Sequence, residues 1–383
     1  MANRAAISRC PNDFLLILAG TAPLFAIDVN FTPPIFGSTG LFEYYVFELN
    51  HELERLFKDL EIEISNELKD MNTYPGNLIG AFATSSVFSS SGASQLTYGG
   101  YKTFAFTLGS TIGLQLPVSI FSLSDEADNF INRLENDGDR KLGFNPQLFN
   151  AQLGINTSFF LKNLYLGLKF GFTNLNYRKF GFDGLSSKTF SAGFLANYKL
   201  IAQRKSERGF FLWRGINFGT GFIYQNTNFI LDLFLDPIYG EININDQGLE
   251  VLSLGIEVRP RVGMNFFINT YTVPMEAITT ICMLDFFNLS FGLGGDFGFG
   301  SADLIVTGKA DINFSGLPLR YMYQIRPAYL SVTMGGNSSP DIFSPKIMTG
   351  LGFSLGPVII DIPFSYYFLN NGYNLGLSLG IVM

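Results

Sequence analysis

The sequence has little charge, few residues suited to catalysis or metal binding, and no long apolar run. Lys, Arg, Asp and Glu make up 15% of the 383 residues, well below the quarter or so that is usual in soluble domains. No apolar run reaches the roughly 18–20 residues that a transmembrane helix needs. The formal net charge of −7 gives no electrostatic basis for binding nucleic acid. A soluble nucleic-acid-binding protein and a helical membrane protein are therefore both disfavoured.

Enzyme and metal sites also lack their usual residues. His51 is the single histidine, and the two cysteines, Cys10 and Cys282, form no Cys-x-x-Cys motif. A transition-metal site would need more ligands of these types, and a Ser-His-Asp triad would have to use His51. We therefore expect no enzymatic activity, no metal and no cofactor. If a signal peptide removes Cys10, Cys282 has no partner for an internal disulfide.

Alternation with a period of two is the main feature that the sequence does contain. In Lys102–Phe121 the even positions are apolar from Phe104 to Ile120 except at Ser110, and the odd positions are mostly small and neutral. Such a period predicts a β-strand with one apolar face. A soluble antiparallel sheet would turn charged side chains to water on its second face. A small, neutral second face instead favours a strand with lipid outside and a crowded lumen inside.

The same period recurs through the rest of the chain and predicts an all-β fold, a transmembrane antiparallel β-barrel of about 14 strands, with 12 as the alternative. The predicted strands are 102–121, 148–160, 163–178, 188–201, 210–226, 249–258, 262–270, 275–284, 287–300, 302–314, 319–335, 345–356, 357–368 and 373–383. This even count requires a turn at Arg259-Pro260-Arg261, and it leaves short turns at one end of the barrel, as in bacterial outer-membrane barrels. Pairing of the first strand with the last would close the barrel.

The residues before the barrel divide into three predicted segments. Residues 1–26 have a basic start, a short apolar run and a small residue at the end, as in a signal peptide; a short buried helix is the alternative. Residues 27–71 begin as a loop and continue as an acidic amphipathic helix over about Tyr44–Met71, which we expect in the periplasm or beneath the pore. Residues 72–100 are rich in Ser and Gly and predict a plug inside the barrel, with an exposed linker as the alternative. The barrel itself spans 101–383.

Apolar residues in two predicted outer loops and in the plug indicate a hydrophobic cargo, although mutual packing of the loops would also explain them. The loop residues are Phe130, Ile131 and Leu134 in the loop 122–147, and Phe229, Ile230, Leu233, Phe234 and Ile238 in the loop 227–248. The plug contributes Phe82 and Phe88. Four cations fall on the small or polar faces and are predicted to point inward: Lys169, Lys199, Lys309 and Arg326. Such a cation could hold a carboxylate by a charge-assisted hydrogen bond or pair with Glu257, Asp303, Asp311 or Asp361, also predicted to point inward.

The Ser/Gly-rich segment, the fourteen predicted strands and the apolar outer loops resemble the FadL family of outer-membrane transporters over about residues 72–383. Residues 72–100 lack the Asn-Pro-Ala motif usual in that family's plug. The resemblance implies energy-independent uptake of long-chain fatty acids or other hydrophobic compounds by a monomer in the outer membrane of a diderm bacterium. The expected partners are outer-membrane lipid, the hydrophobic cargo and the barrel-assembly machinery. A nutrient-diffusion porin and a surface-exposed adhesin or interaction protein are the alternatives.

Overall fold

The computed structural model describes residues 26–38, 43–70, 76–91, 103–117, 141–177, 184–205, 210–234, 236–246, 249–315, 322–326 and 328–383. The predicted signal peptide lies outside this part of the chain except for Ala26. The candidate cargo residues Phe130, Ile131 and Leu134 also lie outside it. Among the described residues, neither helix has the length and apolar character needed to cross a membrane.

The described residues form strands and two helices. The strands are β1 Ala26–Thr32, β2 Ile35–Ser38, β3 Phe104–Gln115, β4 Gly143–Asn156, β5 Leu164–Tyr177, β6 Gly184–Ile201, β7 Arg204–Lys205, β8 Phe211–Phe234, β9 Ile238–Asp246, β10 Leu249–Met283, β11 Phe287–Ser315, β12 Met322–Arg326, β13 Ala328–Ser338, β14 Phe343–Leu355, β15 Val358–Tyr367 and β16 Gly372–Val382. The helices are α1 Glu43–Asp70 and α2 Gly76–Ser91. Helix α1 confirms the helix predicted over 44–71. Strands β1 and β2 replace the predicted loop over 27–43.

One fourteen-stranded antiparallel sheet closes into a barrel. Its ring consists of β3, β4, β5, β6, β8, β10, β11, β14, β15 and β16, each paired with its neighbours in that order. Pairing of β16 with β3, from Gly372 opposite Gln115 to Val382 opposite Ala105, provides the predicted closure between the first and last strands. The ring has ten strands, fewer than the fourteen predicted, because β10 replaces three predicted strands, β11 replaces two, and β13 lies outside the ring.

The predicted turn at Arg259-Pro260-Arg261 is wrong, because β10 is one strand of 35 residues that pairs with β11 from Gly255 to Met283. Pro260 lies where the neighbour on the other edge of β10 changes from β9 to β8. Proline cannot donate a backbone hydrogen bond, and it is tolerated at a position where the strand has no paired neighbour on one edge. Strand β11 likewise replaces two predicted strands and continues through Gly300, whose φ of +128° is available to glycine.

The two ends of the barrel differ. Turns at 157–163, 284–286 and 356–357 lie at one end, where β3 also begins and β16 ends; we call it the turn end. The turn at 368–371 lies at the opposite end. At the opposite rim end, β10 and β11 continue beyond the ring. There β9 pairs with β10, β13 pairs with β11, and β1 pairs with β13. We call this extension, β9-β10-β11-β13-β1, the raised wall.

Helix α1 packs against the raised wall. Val46, Leu49 and Leu53 of α1 form an apolar cluster with Phe36, Ile312 and Ala328. The Asn50 side chain accepts a hydrogen bond from the Phe36 backbone N–H and donates one to the Phe36 carbonyl, both at 2.9 Å. These contacts place α1 at the rim end of the barrel.

Along single strands, the face that carries the apolar side chains changes from the outside of the barrel to the inside. In the ring part of β11 the apolar side chains, such as Phe291 and Leu293, face outward, and Ser290 and Asp296 face inward. In the raised part of β11 the inward residues are apolar, among them Leu304 and Val306, whereas the outward residues are mostly polar, with Ile305 as the exception. Strands β8 and β10 invert in part, because Phe234 and Phe267 still face outward there. The inversion is expected where the medium outside a barrel changes from lipid to water.

The level of the inversion can be read from paired residues. Tyr224, Tyr271 and Phe299 form one outward row across β8, β10 and β11. The next outward row towards the rim contains Asn226, Asn269 and Ser301, and Asn226 donates to Asn269 at 2.6 Å. From Tyr271 to Ile281 the apolar outer belt is about eleven residues long, in keeping with the roughly 9–11 tilted residues that cross a bilayer.

Candidate functional site

The candidate site is the interior of the ring, which contains helix α2. Every α2 residue from Ala81 to Ser91 is buried. The helix contacts β3, β4, β8, β10, β11, β13 and β16. Segment 72–100, for which the sequence predicts a plug, thus contains a helix that the sequence analysis did not identify.

Glycines in the barrel wall let the α2 backbone approach it closely. A Cβ atom at Gly113 would collide with the Ser85 carbonyl oxygen, and one at Gly143 would collide with the carbonyl of Ala81. On the opposite side of the helix, a Cβ atom at Gly298 would meet Val87 at 2.9 Å. Because α2 itself carries mainly Gly, Ala and Ser, wall and helix pack backbone against backbone. The lumen of a ten-stranded ring is filled in this way.

The first half of α2 packs within a cluster of buried apolar residues at the rim end, which we call the apolar chamber. Phe82 stacks on Phe266 with the ring centroids 4.2 Å apart, and the Phe229 ring lies 5.6 Å away. The buried apolar residues of this chamber are Ile79, Phe82, Ala83, Phe229, Val262, Phe266, Ile268, Ala302, Leu304, Val306, Ala310, Leu330, Val332 and Met334. The chamber is therefore formed largely by the inward face of the raised wall.

The second half of α2 is held by polar contacts. The Ser86 hydroxyl lies 2.9 Å from the Thr270 hydroxyl, and the Ser90 hydroxyl lies 2.8 Å from that of Thr272. The Gln225 amide donates to the Ser89 hydroxyl at 3.1 Å. Serine hydroxyls inside a helix usually weaken it by competing for the backbone. Here the wall supplies their partners, so the serines fix the rotation and height of α2.

Barrel side chains also cap the C-terminal end of α2. The carbonyls of the last turn lack partners within the helix. Asn374 donates to the Phe88 carbonyl at 2.7 Å, and Thr111 donates to the Ser89 carbonyl at 3.0 Å. The buried Lys169 ammonium donates to the Ser90 carbonyl at 2.6 Å. A cation at this position also interacts favourably with the negative end of the helix dipole.

A buried charge cluster adjoins the same helix end. The Lys346 ammonium lies 2.6 Å from a Glu276 oxygen and 2.8 Å from a carboxylate oxygen of Asp296. The second Asp296 oxygen accepts hydrogen bonds from the Tyr367 hydroxyl at 2.7 Å and from the Ser91 hydroxyl at 2.6 Å. Charge-assisted hydrogen bonds of this kind are among the strongest in proteins. Sequence reasoning missed this cluster, although inward-facing charges among small residues at belt positions could have revealed it.

The structure distributes the predicted apolar site residues over both faces. Phe82, Phe229 and Leu233 lie on inward positions, and the Phe88 ring stacks on Tyr367 at 3.8 Å. The predicted outer loop 227–248 is wrong, because its first eight residues belong to β8 and 238–246 form β9. Strand alternation therefore turns Ile230 and Phe234 to the outer face. Ile238 lies at the start of β9.

The structure also separates the predicted inward cations. Lys169 and Lys199 are buried on the inner face, with the Lys199 ammonium 5.7 Å from the centre of the Tyr165 ring. Lys309 is exposed on the outer face of β11, and Arg326 donates to the Pro33 carbonyl outside the ring. The inward prediction is wrong for both. Lys309 faces outward because the pattern inverts in the raised wall, and Arg326 lies on β12, which pairs with β2 in a separate two-stranded sheet.

The acidic residues predicted to pair with those cations follow the same rule. Asp361 is buried on the inner face of the ring. Asp303 and Asp311 face outward on the raised wall, and so does Glu257 on β10. Arg261 lies 3.3 Å from Asp311 and 4.9 Å from the centre of the Phe234 ring. The outer face of the raised wall is therefore a surface of exposed ion pairs.

Solved structures of outer-membrane barrels share the general architecture at very low similarity. The translocator domain of the autotransporter NalP from Neisseria meningitidis gives a TM-score of 0.26 at 8% identity, covering 75% of this chain and 91% of that chain. The Ralstonia pickettii toluene transporter TbuX gives 0.24 at 10% identity, with coverages of 80% and 98%. A Pseudomonas aeruginosa FadL homologue gives 0.23 at 10% identity, with coverages of 80% and 97%. FadL-family transporters, the group that the sequence resembles, are thus among the matches, but scores of this size carry no argument about site or cargo.

No curated protein matches this sequence. The Lsa36-like family matches residues 44–383, which include α1, α2 and the whole ring. The chain therefore belongs to the Lsa36-like family.

Proposed function

We propose that this protein is an outer-membrane barrel that takes up hydrophobic compounds, long-chain fatty acids among them, past helix α2. One observation carries the proposal: a cluster of buried apolar residues lies at the rim end of the lumen, and the helix that fills the lumen contributes to that cluster. Phe82 belongs to α2, whereas Phe229 and Phe266 belong to the wall. An apolar molecule that enters the chamber would therefore compete for the contacts that hold the closing helix.

The outer surface supports a membrane location. The apolar belt has about the height of a bilayer's hydrocarbon core. A row of aromatic residues marks its upper edge, and the next row towards the rim is polar. In bacterial outer-membrane barrels the short turns lie in the periplasm. By that rule the turn end faces the periplasm, and the raised wall with α1 stands on the cell surface.

An exit towards the membrane is the route that the strand pairing favours. Strand β4 pairs with β5 only over Phe149–Asn156, opposite Tyr165–Phe172. Towards the rim, residues 143–147 of β4 pair only with β3, and residues 173–177 of β5 pair only with β6. A seam without backbone pairing thus begins at the upper edge of the belt. Thr173 bridges it by accepting from the Leu148 N–H at 2.8 Å and donating to the Pro146 carbonyl at 3.1 Å.

Binding of a fluorescent long-chain fatty acid to detergent-purified protein tests the proposal. Phe266 and Phe267 are neighbours on opposite faces of β10, the first in the chamber and the second on the outer face. We expect saturable binding to the wild type, at least tenfold weaker binding to Phe266→Ala, and wild-type binding to Phe267→Ala. Absence of saturable binding, or equal loss in both variants, would contradict the proposal.

A role in binding a partner at the cell surface is the second candidate, and the raised wall favours it. Uptake does not require a wall that continues beyond the ring with an outer face of exposed ion pairs. Replacing Arg259 and Arg261 with serine separates the two functions. Uptake by the chamber predicts unchanged fatty-acid binding, whereas a surface partner should bind more weakly. A water-filled porin has less support, because α2 occupies the lumen.

A further inference from the structure

We infer that the buried cluster of Asp296, Lys346, Glu276 and Tyr367 is a latch that holds the C-terminal end of α2 and keeps the barrel shut. The latch presupposes the proposed function in one respect only, namely that α2 closes the conduit. It does not depend on which molecule passes. It assigns to these side chains a task separate from cargo binding, because they lie beside the second half of the helix and outside the apolar chamber.

The cluster contacts the helix through Ser91, the last residue of α2. The Ser91 hydroxyl donates to Asp296 at 2.6 Å and lies 3.0 Å from the Tyr367 hydroxyl. Strands β10, β11, β14 and β15 contribute one member each: Glu276, Asp296, Lys346 and Tyr367. The helix end is therefore tied to four wall strands through the Ser91 hydroxyl and through the Phe88 ring, which stacks on Tyr367 at 3.8 Å.

The charges of the cluster are paired. The Lys346 ammonium contacts the carboxylates of both Glu276 and Asp296, and all three side chains are buried. Among the described residues, neutral side chains also contact this helix end: Thr111 on β3, Gln225 on β8 and Asn374 on β16. Removing one charge leaves a buried charge without full compensation, which is strongly unfavourable. Water must then enter, or the helix end must move.

The two halves of α2 are held by different forces, so they can be released separately. An apolar cargo in the chamber weakens the contacts of Phe82 but leaves the pairing of Asp296 and Lys346 intact. Conversely, loss of the latch frees the end of α2 that points away from the chamber while Phe82 stays stacked. The geometry therefore predicts that breaking the latch opens the barrel in the absence of any cargo.

Planar-bilayer recording with Asp296→Asn tests this prediction. The substitution keeps the size of the side chain and removes its charge. We expect openings at least tenfold more frequent than in the wild type. Asp311→Asn is the matched control, because Asp311 lies on the same strand but forms an exposed ion pair on the outer face; its recordings should equal those of the wild type.

A reversible crosslink shows whether the current comes from movement of α2. In an Asp296→Asn protein that also carries Cys10→Ala and Cys282→Ala, Ser86→Cys and Thr270→Cys place thiols where two hydroxyls now lie 2.9 Å apart. Oxidation should abolish the openings, and a reducing agent should restore them. Openings that persist in the crosslinked protein would overturn the latch.

A silent Asp296→Asn protein that is folded, as judged by its heat-modifiable mobility in gels, would also overturn the latch. If Asp296→Asn does not fold, Ser91→Ala decides the matter. That change removes the hydroxyl contacts of the helix with Asp296 and Tyr367 and leaves both the charge pairs of the wall and the stacking of Phe88 on Tyr367 intact. More frequent openings in Ser91→Ala then support the latch, and wild-type silence refutes it. Because none of these recordings contains fatty acid, failure of cargo binding and failure of the latch give different results.

Discussion

The two helices of this protein bury themselves in opposite ways. Helix α1 lies on the raised wall with one apolar stripe, including Leu49 and Leu53, while Tyr44 and Phe47 remain exposed. Helix α2 is enclosed on all sides, and its small residues touch the wall with backbone as much as with side chains. A helix buried on one side shows a helical period in its sequence, whereas a helix buried all round does not. The comparison explains why the first was predictable and the second was not.

The energetic consequences of the two burials differ as well. On α1, side chains away from the apolar stripe contact solvent, so substitutions there should be tolerated. On α2, nearly every position from Ile79 onward contacts the wall, so even a small increase in side-chain volume should destabilise the packing. Substitutions test this difference. They begin in the lumen, where we expect the largest loss of stability, and end on the outer surface, where we expect the smallest.

The largest effect is expected for Gly113→Leu. A Cβ atom at this position would collide with the backbone of Ser85 and Ser89 in α2. The helix could avoid this collision only by moving away from the wall. Overpacking of a well-packed interior usually costs about 1–3 kcal/mol and sometimes more, and here the helix backbone is the obstacle. The α2 amides should exchange hydrogen faster than in the wild type, because the helix can no longer pack against the wall.

Gly335→Ala is the control for this prediction, because the nearest atom to its added Cβ is the Leu304 carbonyl oxygen at an ordinary 3.7 Å. Its α2 amides should exchange as in the wild type. Unchanged protection of α2 in Gly113→Leu would show that the helix does not pack on the wall as described.

Phe82→Ala should have the next largest effect. Truncating a buried phenylalanine costs about 3–5 kcal/mol, and Phe82 lies between Phe229 and Phe266. Phe47→Ala on α1 should change the free energy of unfolding by less than about 0.5 kcal/mol, because Phe47 is 68% exposed. Denaturant unfolding in lipid vesicles, followed by the fluorescence of the single tryptophan, measures both. Equal costs would contradict the contrast between the helices.

How much the sequence could reveal follows from the same contrast. The period of two identified the barrel, and the pairing of β16 with β3 confirms the predicted closure. It failed above the belt, where Lys309 and Asp303 face outward, because alternation alone does not say which face is inside. The polarity of the surrounding medium settles that, and the medium changes at Tyr271.

The candidate site was less accessible to sequence reasoning than the fold. Phe82 and Lys169 were identified as candidates because they stood out among small residues. Lys346, Glu276 and Asp296 were not, since they come together only through strands far apart in the sequence. The wall glycines Gly113 and Gly143 gave no signal, because glycine is common throughout the chain.

A moderate effect is expected for Asn50→Ala at the contact between α1 and β2. The substitution removes two hydrogen bonds to the Phe36 backbone, each worth about 0.5–1.5 kcal/mol. The Phe36 amide should exchange roughly tenfold faster, while the α2 amides keep their protection. Faster exchange in both regions would show that α1 and α2 are coupled, against the separation described above.

The smallest effect is expected for Asp311→Asn on the outer face of the raised wall. Its ion pair with Arg261 is about half exposed on both sides, and exposed pairs of this kind contribute about 0.2–1 kcal/mol. The unfolding midpoint should stay near that of the wild type and should respond weakly to salt. A loss as large as that of Phe82→Ala would mean that the outer face is buried by a partner.

Conductance in planar bilayers, compared between the wild type and a variant lacking residues 76–91, tests most directly whether α2 closes the barrel. We predict a wild-type protein with no steady conductance and a folded deletion variant with a large, steady one. A wild-type protein that conducts steadily, or a folded deletion variant that stays silent, would contradict the central role of α2.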